Sequence, residues 1–598
     1  METLHHNGVL VPPQYKGRGL TVKVNGNTVN LTAEQEEMAM AWAKKAETPY
    51  VDDKVFAKNF HKDFSKKLGT EVKPEDVDYN KIISLVKEER EYKKNLPREE
   101  KKRLAAERKA TREENKEKYG YAWVDGERME LANYVAEPSS IFMGRGKHPL
   151  RGSWKEGPSK KDIILNLSDE APRPEGEWKD IVWEPEAIWI ARWQDKLSGK
   201  MKYVWFSDSC SFKQQKEIEK FNKAKEFQQN LPRVKRHIMR NLESEDLKRR
   251  KIATVCYLID KLKIRVGDEK DPDEADTVGA STLRNEHIEI NGDGTVSFNF
   301  LGKDSVPHIF TTKLPDKVIE NLKEFSSNSE SALFNGVGSS NVSEFLDEVM
   351  SGLSAKVFRT LYASDAVQTK LDKTPVDSED PEYMKKYVAK MANLEAAKVC
   401  NHKRTIPKRW KASLEKKKER VNVLKERARK AQAKIRTKVK EQDKRYQKRL
   451  KKQEENLAAD LEKLEEIKQQ LEERKAQGKS VEALTKRVKS KRQVIARTRQ
   501  RIKELKAKHK EQMDKQKQRL EKRKQRDKAA LEKQKLNVTT QEETRDYNLS
   551  TSLKSYIDPR IYYEWGKKVH YDWKKYYQKA LHKKFSWVDK QEECTENS

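Results

Sequence analysis

Residues 450–502 read LKKQEENLAADLEKLEEIKQQLEERKAQGKSVEALTKRVKSKRQVIARTRQRI. Apolar residues recur in this stretch at seven-residue steps: Leu450, Leu457, Leu464 and Leu471, then Val488, Ile495 and Ile502. Gly478 stands between the two series. A heptad keeps one narrow apolar seam on a helix, and two such series around a break predict two arms folded back on each other. Followed outward, the pattern runs from about Lys411 to Lys475 and from about Val481 to Lys535. Each arm would reach roughly 80–100 Å at 1.5 Å per residue. The expectation is a long antiparallel coiled-coil hairpin with a thin apolar stripe and heavily charged outer faces.

The charge is concentrated in the same place. Between Lys403 and Lys535 there are 50 Lys and Arg against 20 Asp and Glu, a net of +30, whereas all 598 residues together carry +32. That excess, with a pI near 9.5, calls for a polyanionic partner, either nucleic acid or an anionic membrane surface. No stretch approaches the roughly 20 apolar residues of a bilayer span, and Met1 to Val9 lacks the apolar core of a signal peptide. Cys210, Cys256, Cys400 and Cys594 show no paired ligand spacing, which argues against structural zinc and a disulfide framework and fits a reducing intracellular compartment. At 35% apolar content the chain is too polar to form one compact body throughout.

On the N-terminal side of the hairpin the text becomes globular. Alternating residues around Asn25-Gly26 predict a β-hairpin, and Ile82 to Tyr119 predicts a charged helix pair interrupted at Pro97. Residues 137–206, with six tryptophans from Trp154 to Trp205, read as a β-rich subdomain with strands over Ile188–Trp193 and Met201–Phe206. Residues 211–264 look helical. Three strands follow, Glu286–Ile290, Val296–Phe300 and Val306–Thr311, with Lys303 at a hairpin tip. Ser354 would N-cap a helix carrying Lys356 and Arg359 on one face, and another helix runs from Pro381 toward Asn401. Beyond the charged hairpin, Asn548 to Val588 is a compact tail rich in Tyr and Trp.

Composition alone would be satisfied by an architectural coiled-coil protein that binds DNA. The case for an enzyme rests on short motifs. Transesterification at a phosphodiester needs a nucleophile, two or three cations around the non-bridging oxygens and an acid for the departing oxygen. Ile264-Arg-Val-Gly-Asp-Glu-Lys270 with Ala275-Asp-Thr-Val-Gly279, Phe300-Leu-Gly-Lys-Asp-Ser305, Ala355-Lys-Val-Phe-Arg-Thr360, Cys400-Asn-His402 and Ser552-Leu-Lys-Ser-Tyr-Ile-Asp-Pro-Arg560 follow one another along the chain, after Phe142-Met-Gly-Arg-Gly146. In these motifs and their order the chain resembles the eukaryotic-type DNA topoisomerase IB family, whose catalytic core is related to the tyrosine recombinases.

The resemblance implies that Arg265, Arg359 and His402 contact the scissile phosphate. It further implies that Lys303 protonates the leaving 5′ oxygen and that Tyr556 is the nucleophile. Arg145, Asp304 and Lys356 match positions that resemble the family's DNA contacts. Arginine suits phosphate as a fixed fork of donors, whereas lysine can give up its proton. The acidic run Asp268 to Asp276 is a Pro-containing loop without a second carboxylate cluster, so no metal is expected. No GxxxxGK[ST] occurs, so no ATP cradle and no small-molecule cofactor is expected either.

The implied fold is a multidomain α+β bilobed DNA clamp. Residues 1–210 would form a mixed cap lobe, 211–404 a mostly helical catalytic lobe, 405–545 the coiled-coil linker and 546–598 a small helical C-terminal domain. The expected partner is double-stranded DNA, gripped by a monomer in a DNA-containing compartment, neither secreted nor membrane-bound. Four features depart from the family. Ser555 precedes the nucleophile where the animal enzymes typically carry Asn, and the lysine of that motif is shifted to Lys554. His402 and Tyr556 lie 154 positions apart, more than expected. No long charged N-terminal tail is expected before the first domain, so the expected compartment is the nucleoid or cytoplasm of a cell without a nucleus, an organelle, or a nucleus. A tyrosine site-specific recombinase would use the same five residue types, but the long hairpin before Tyr556 argues against it.

Overall fold

A computed structural model describes residues 1–268, 276–327 and 331–590, apart from the side chain of Asp304. The chain is a mixed α and β multidomain protein that divides into two compact units. One comprises residues 1–379, 391–404 and 547–598, and the other residues 380–390 and 405–546.

Among the described residues, three apolar cores organise the larger unit ahead of its C-terminal tail. In the first, the Asn25-Gly26 turn has both residues at positive φ (49° and 83°), the geometry that joins Thr21–Val24 to Asn27–Asn30 as a tight hairpin. Helices Ala33–Ala43 and Lys54–Leu68 cover it, with Trp42 stacked on Phe60 at 4.6 Å. The helix pair Asn80–Asn95 and Arg98–Tyr119 breaks at Pro97, and the second helix buries none of its residues.

The second core unites sheets that sequence periodicity separates. Strand Leu4–His6 pairs antiparallel with Tyr121–Val124, which continues to Glu127–Glu130. A four-stranded sheet, in the order Asp180–Val182, Ile163–Asn166, Trp189–Gln194 and Met201–Trp205, shares their apolar side. The residues of the first strand lie more than 100 positions from their partners, so no local pattern announces the pairing.

The third core holds helices Ser211–Asn241, Leu247–Leu262, Asp316–Ser327, Ser339–Asp347 and Ala355–Lys373 against the sheet Ile288–Ile290, Thr295–Gly302 and Val306–Lys313. The antiparallel register runs from Thr295 opposite Lys313 to Gly302 opposite Val306, so the tip of that long hairpin is Lys303–Ser305. The tail folds as Leu549–Ser555, Pro559–Lys568 and Lys579–Lys584 around Tyr562, Trp573, Tyr577 and Phe585.

The smaller unit consists of two long helices, Trp410–Ala476 and Glu482–Glu543, together with residues 380–390. Gly478, at φ 65°, turns the chain between the helices. Lys491 bridges Asp460 at 2.5 Å, Gln432 reaches Asp527 and Gln534 reaches the carbonyl of Lys417, a register that sets the two helices antiparallel. Leu464, Leu484, Ile495 and Ile502 are buried along the seam. Tyr446 stacks on His509 at 3.6 Å, filling a position where the aliphatic series lapses. Among the described residues no helix is long and apolar enough to cross a membrane.

Candidate active site

Helix Ala355–Lys373 places Arg359 in the interior. Its neighbours Phe358 and Leu361 are buried in the third core, Phe358 against Phe227 at 4.5 Å, and this packing draws Arg359 down to 2% exposure. Nη1 donates to the Tyr556 phenol oxygen at 3.4 Å, and Nη2 donates to the Cys400 carbonyl at 2.7 Å and stands 3.2 Å from His402 Nε2. The Nε is buried with no hydrogen-bond partner. A buried cation with an unused donor is a group prepared for an anion.

His402 follows helix Glu382–Val399 through Asn401, whose φ of 49° turns the chain so that the His402 amide donates to Ala397 O at 2.8 Å. The ring lies 5.2 Å from that of Tyr556, and its Nδ1 is 2.7 Å from Ser552 Oγ. Burial first, then the neighbouring guanidiniums of Arg359 and Arg265, push its pKa down to about 3. The imidazole is therefore neutral at physiological pH.

Tyr556 ends the short helix Leu549–Ser555, which Asn548 caps by accepting from Ser550 N. The chain around it is held at several points. Lys584 donates to Lys554 O at 3.1 Å, Lys220 donates to Ser555 O at 3.2 Å, and Glu217 pairs with both ammoniums at 3.3 and 2.6 Å. Ser364 donates to Tyr556 O and accepts from Asp558 N. Burial lowers the Lys220 pKa to about 8, against the opposing pull of Glu217.

Arg265 leaves helix Leu247–Leu262 through Lys263, at φ 56°, and its carbonyl accepts from Ala280 N at 2.8 Å. The Arg265 pKa is lowered by burial and then by the neighbouring Arg359, with the nearby Tyr556 phenol pulling the other way. Arg265, Lys303, Arg359, His308 and Cys400 line one small cleft. Lys303 is exposed at the hairpin tip, with the rest of that cleft behind it.

Consecutive parts of the chain match three family models: the DNA binding fragment of eukaryotic DNA topoisomerase I over residues 1–206, its catalytic core over 209–435, and the C-terminal topoisomerase domain over 528–595. The chain belongs to the eukaryotic DNA topoisomerase I family. It is 38% identical to DNA topoisomerase 1 beta of Arabidopsis thaliana over 71% of this chain and 47% of the relative. With DNA topoisomerase 1 of Candidozyma auris it shares 34% identity over 68% of this chain and 56% of the relative. DNA topoisomerase 1 of Caenorhabditis elegans aligns over 98% of this chain and 66% of its own length at 29% identity. The chain spans about half the length of the plant and yeast relatives.

Within this topoisomerase I family member, Arg265, Arg359, His402 and Tyr556 come together, and Lys303 lines a small cleft with Arg265 and Arg359. Arg145 is exposed in the loop after Met143, where Gly146 abuts the Ser305 hydroxyl, so that loop and the Lys303 hairpin touch. Lys356 points outward on the first turn of its helix although Arg359, one turn on, is buried, so the two do not share one environment. The Asp304 side chain, Cys594 and the interior of the 268–276 run lie outside the described residues. At the ends of that run, Asp268 accepts from Ser339 N, and Asp276 pairs with Arg284. Ser354 occupies the N-cap position but makes no side-chain capping bond.

Sequence reasoning missed Ser552, Ser364, Lys220, Glu217, Lys584 and His308. His308 stacks on Phe300 at 4.8 Å and meets Asn401 Nδ2 through Nδ1 at 3.0 Å. Its pKa is pushed to about 4 by burial, then by Arg359 and Arg265. Only Ser552 carried a readable signal, since it lies one helical turn before Tyr556.

Proposed function

We propose that the chain is a type IB DNA topoisomerase that relaxes positive and negative supercoils through a transient 3′-phosphotyrosyl intermediate, without ATP or metal. The observation that carries this reading is the Arg359 guanidinium, which touches the Tyr556 phenol and His402 at once while its Nε remains unpaired.

Tyr556 attacks the phosphorus as its phenol proton passes to solvent water, helped by the two guanidiniums that stabilise the phenolate. Arg265, Arg359 and His402 surround the non-bridging oxygens. Lys303 transfers a proton to the 5′ oxygen as the P–O bond breaks, and the same steps run backward when the 5′-hydroxyl returns. The bond energy stays in the phosphotyrosine, so no nucleotide is consumed.

In this reading residues 1–210 and 211–404 are the lobes of a DNA clamp closed around a duplex by one protomer. Residues 405–545 are a coiled-coil linker bearing on downstream phosphates, and 546–598 deliver the nucleophile. Arg145, Asp304 and Lys356 contact the DNA. Phosphate contacts grip the duplex with little base readout. The protein acts in a DNA-containing compartment.

The test is plasmid relaxation by purified protein in EDTA without ATP, wild type against Tyr556→Phe. Wild type relaxes both supercoil signs and traps a covalent adduct, and the variant does neither. DNA binding that leaves supercoiling untouched would overturn the proposal in favour of an architectural protein.

A further inference from the structure

Ser552 is fully buried, and one residue's atoms serve both partners of the proposed chemistry. Its hydroxyl lies 2.7 Å from His402 Nδ1, and its carbonyl accepts the amides of Tyr556 at 2.9 Å and Ile557 at 3.1 Å. The other ring nitrogen, Nε2, faces Arg359 Nη2 at 3.2 Å. A guanidinium only donates, so Nε2 must offer a lone pair there, and a neutral ring then carries its proton on Nδ1 and donates it to Ser552 Oγ.

That tautomer is the wrong one for a phosphate. A non-bridging oxygen only accepts, and opposite Nε2 it would meet the lone pair. To stabilise it, the ring must carry its proton on Nε2, and Nδ1 must then find a donor. A hydroxyl can serve both tautomers, because it accepts in one and donates in the other by rotating about Cβ–Oγ. Alanine could do neither, and a carbonyl would lock the Nδ1–H form.

We propose that Ser552 is a positioning residue that selects the His402 tautomer, accepting from Nδ1–H in the free protein and donating to Nδ1 once a phosphate stands opposite Nε2. The proposal deepens the transesterification reading and rests on it. Protons balance: the ring loses one at Nδ1 and gains one at Nε2 by exchange with water, it stays neutral, and the serine keeps its own. Because Ser552 belongs to the turn that carries Tyr556, His402 obtains its phosphate-binding tautomer only while the nucleophile's helix is seated.

The experiment is 15N–1H correlation of the histidine rings in the full-length Tyr556→Phe protein, free and with a duplex oligonucleotide, alongside cleavage rates and duplex affinity of Ser552 variants in the wild-type background. His402 should read as the Nδ1–H form when free and the Nε2–H form when DNA is bound. Ser552→Ala should lower the cleavage rate about tenfold to a hundredfold, less than removal of a direct phosphate donor, with affinity unchanged within about twofold. Ser552→Thr, which keeps the hydroxyl, should recover most of the rate.

An unchanged tautomer on binding, or a Ser552→Ala protein that cleaves at the wild-type rate, overturns the proposal. Should Ser552→Ala fail to fold, the two tautomer readings decide alone. If wild type forms no covalent adduct, the functional reading itself fails, and the tautomer of the free protein still tests the assignment made from Arg359.

Discussion

Arg359 illustrates how much one side chain is asked to do. It is buried, it satisfies Cys400 O, and it reaches the phenol and the imidazole with separate nitrogens. A lysine has one point of charge and cannot hold these partners in a fixed fork. Arg359→Lys should therefore reduce the cleavage rate about 10²- to 10³-fold while duplex affinity changes only severalfold, as measured by single-turnover cleavage and by binding in the Tyr556→Phe background. A fall in affinity in proportion to rate would make Arg359 a binding residue instead. Its motif was legible in the sequence because the residues around it are family-like. Its burial was not, and Lys356, three positions away, has the same charge and the opposite environment.

At the scale of elements, the first turns of helix Ser211–Asn241 act as a bed for the tail. Glu217 sits between two ammoniums, and each ammonium also holds a carbonyl just before Tyr556. Taking Lys220 away removes the Ser555 O donor and one of the two ammoniums paired with Glu217. Misplacement of a nucleophile by as little as about 1 Å can cost a hundredfold in rate. Lys220→Gln should slow cleavage at least about tenfold and raise hydrogen exchange in the peptide over residues 549–558, whereas Lys220→Arg should preserve both. Unchanged exchange in the glutamine variant would show that the bed is not needed. Sequence periodicity identified the helix and the tail separately, but nothing in it paired Lys220 with Ser555, because the contact spans 335 positions.

Over the whole molecule, charge acts in two ways. The long helices carry most of the net charge, and Lys434, Lys438, Arg519 and Lys522 line one groove between them. If the helices bear on DNA, changing these four to Gln should flatten the dependence of log affinity on log salt by about 0.9 for each phosphate no longer neutralised. A slope unchanged from wild type would mark the helices as solvated and free of DNA.

The buried histidines act through pH. His402 is pushed to about 3, and His6 and His308 to about 4, in each case first by burial. Their folded values lie below the ordinary 6.5, so the unfolded chain takes up these protons first. Stability is fully present above about pH 6.5 and falls as pH drops toward 3–4, by about 1.4 kcal/mol per pH unit for each ring while it titrates only in the unfolded state. Melting temperatures measured from pH 7 to 4 should decline, and His308→Phe should make that decline shallower. A decline equally steep in the variant would assign it to carboxylates.

The sequence by itself determined the long helices, their antiparallel turn at Gly478, the hairpin that presents Lys303 and the family to which the chain belongs. These are readable because a heptad, a two-residue turn and a short motif each lie within a few neighbouring residues. Only the tertiary structure decided that Leu4–His6 closes a sheet with Tyr121–Val124, that Arg359 and Tyr556 meet across 197 positions, and that Ser552 rather than another polar group faces His402. Contacts between distant segments leave no period in the chain. Which polar groups become buried together, and therefore which proton sits on which nitrogen, is settled by packing alone.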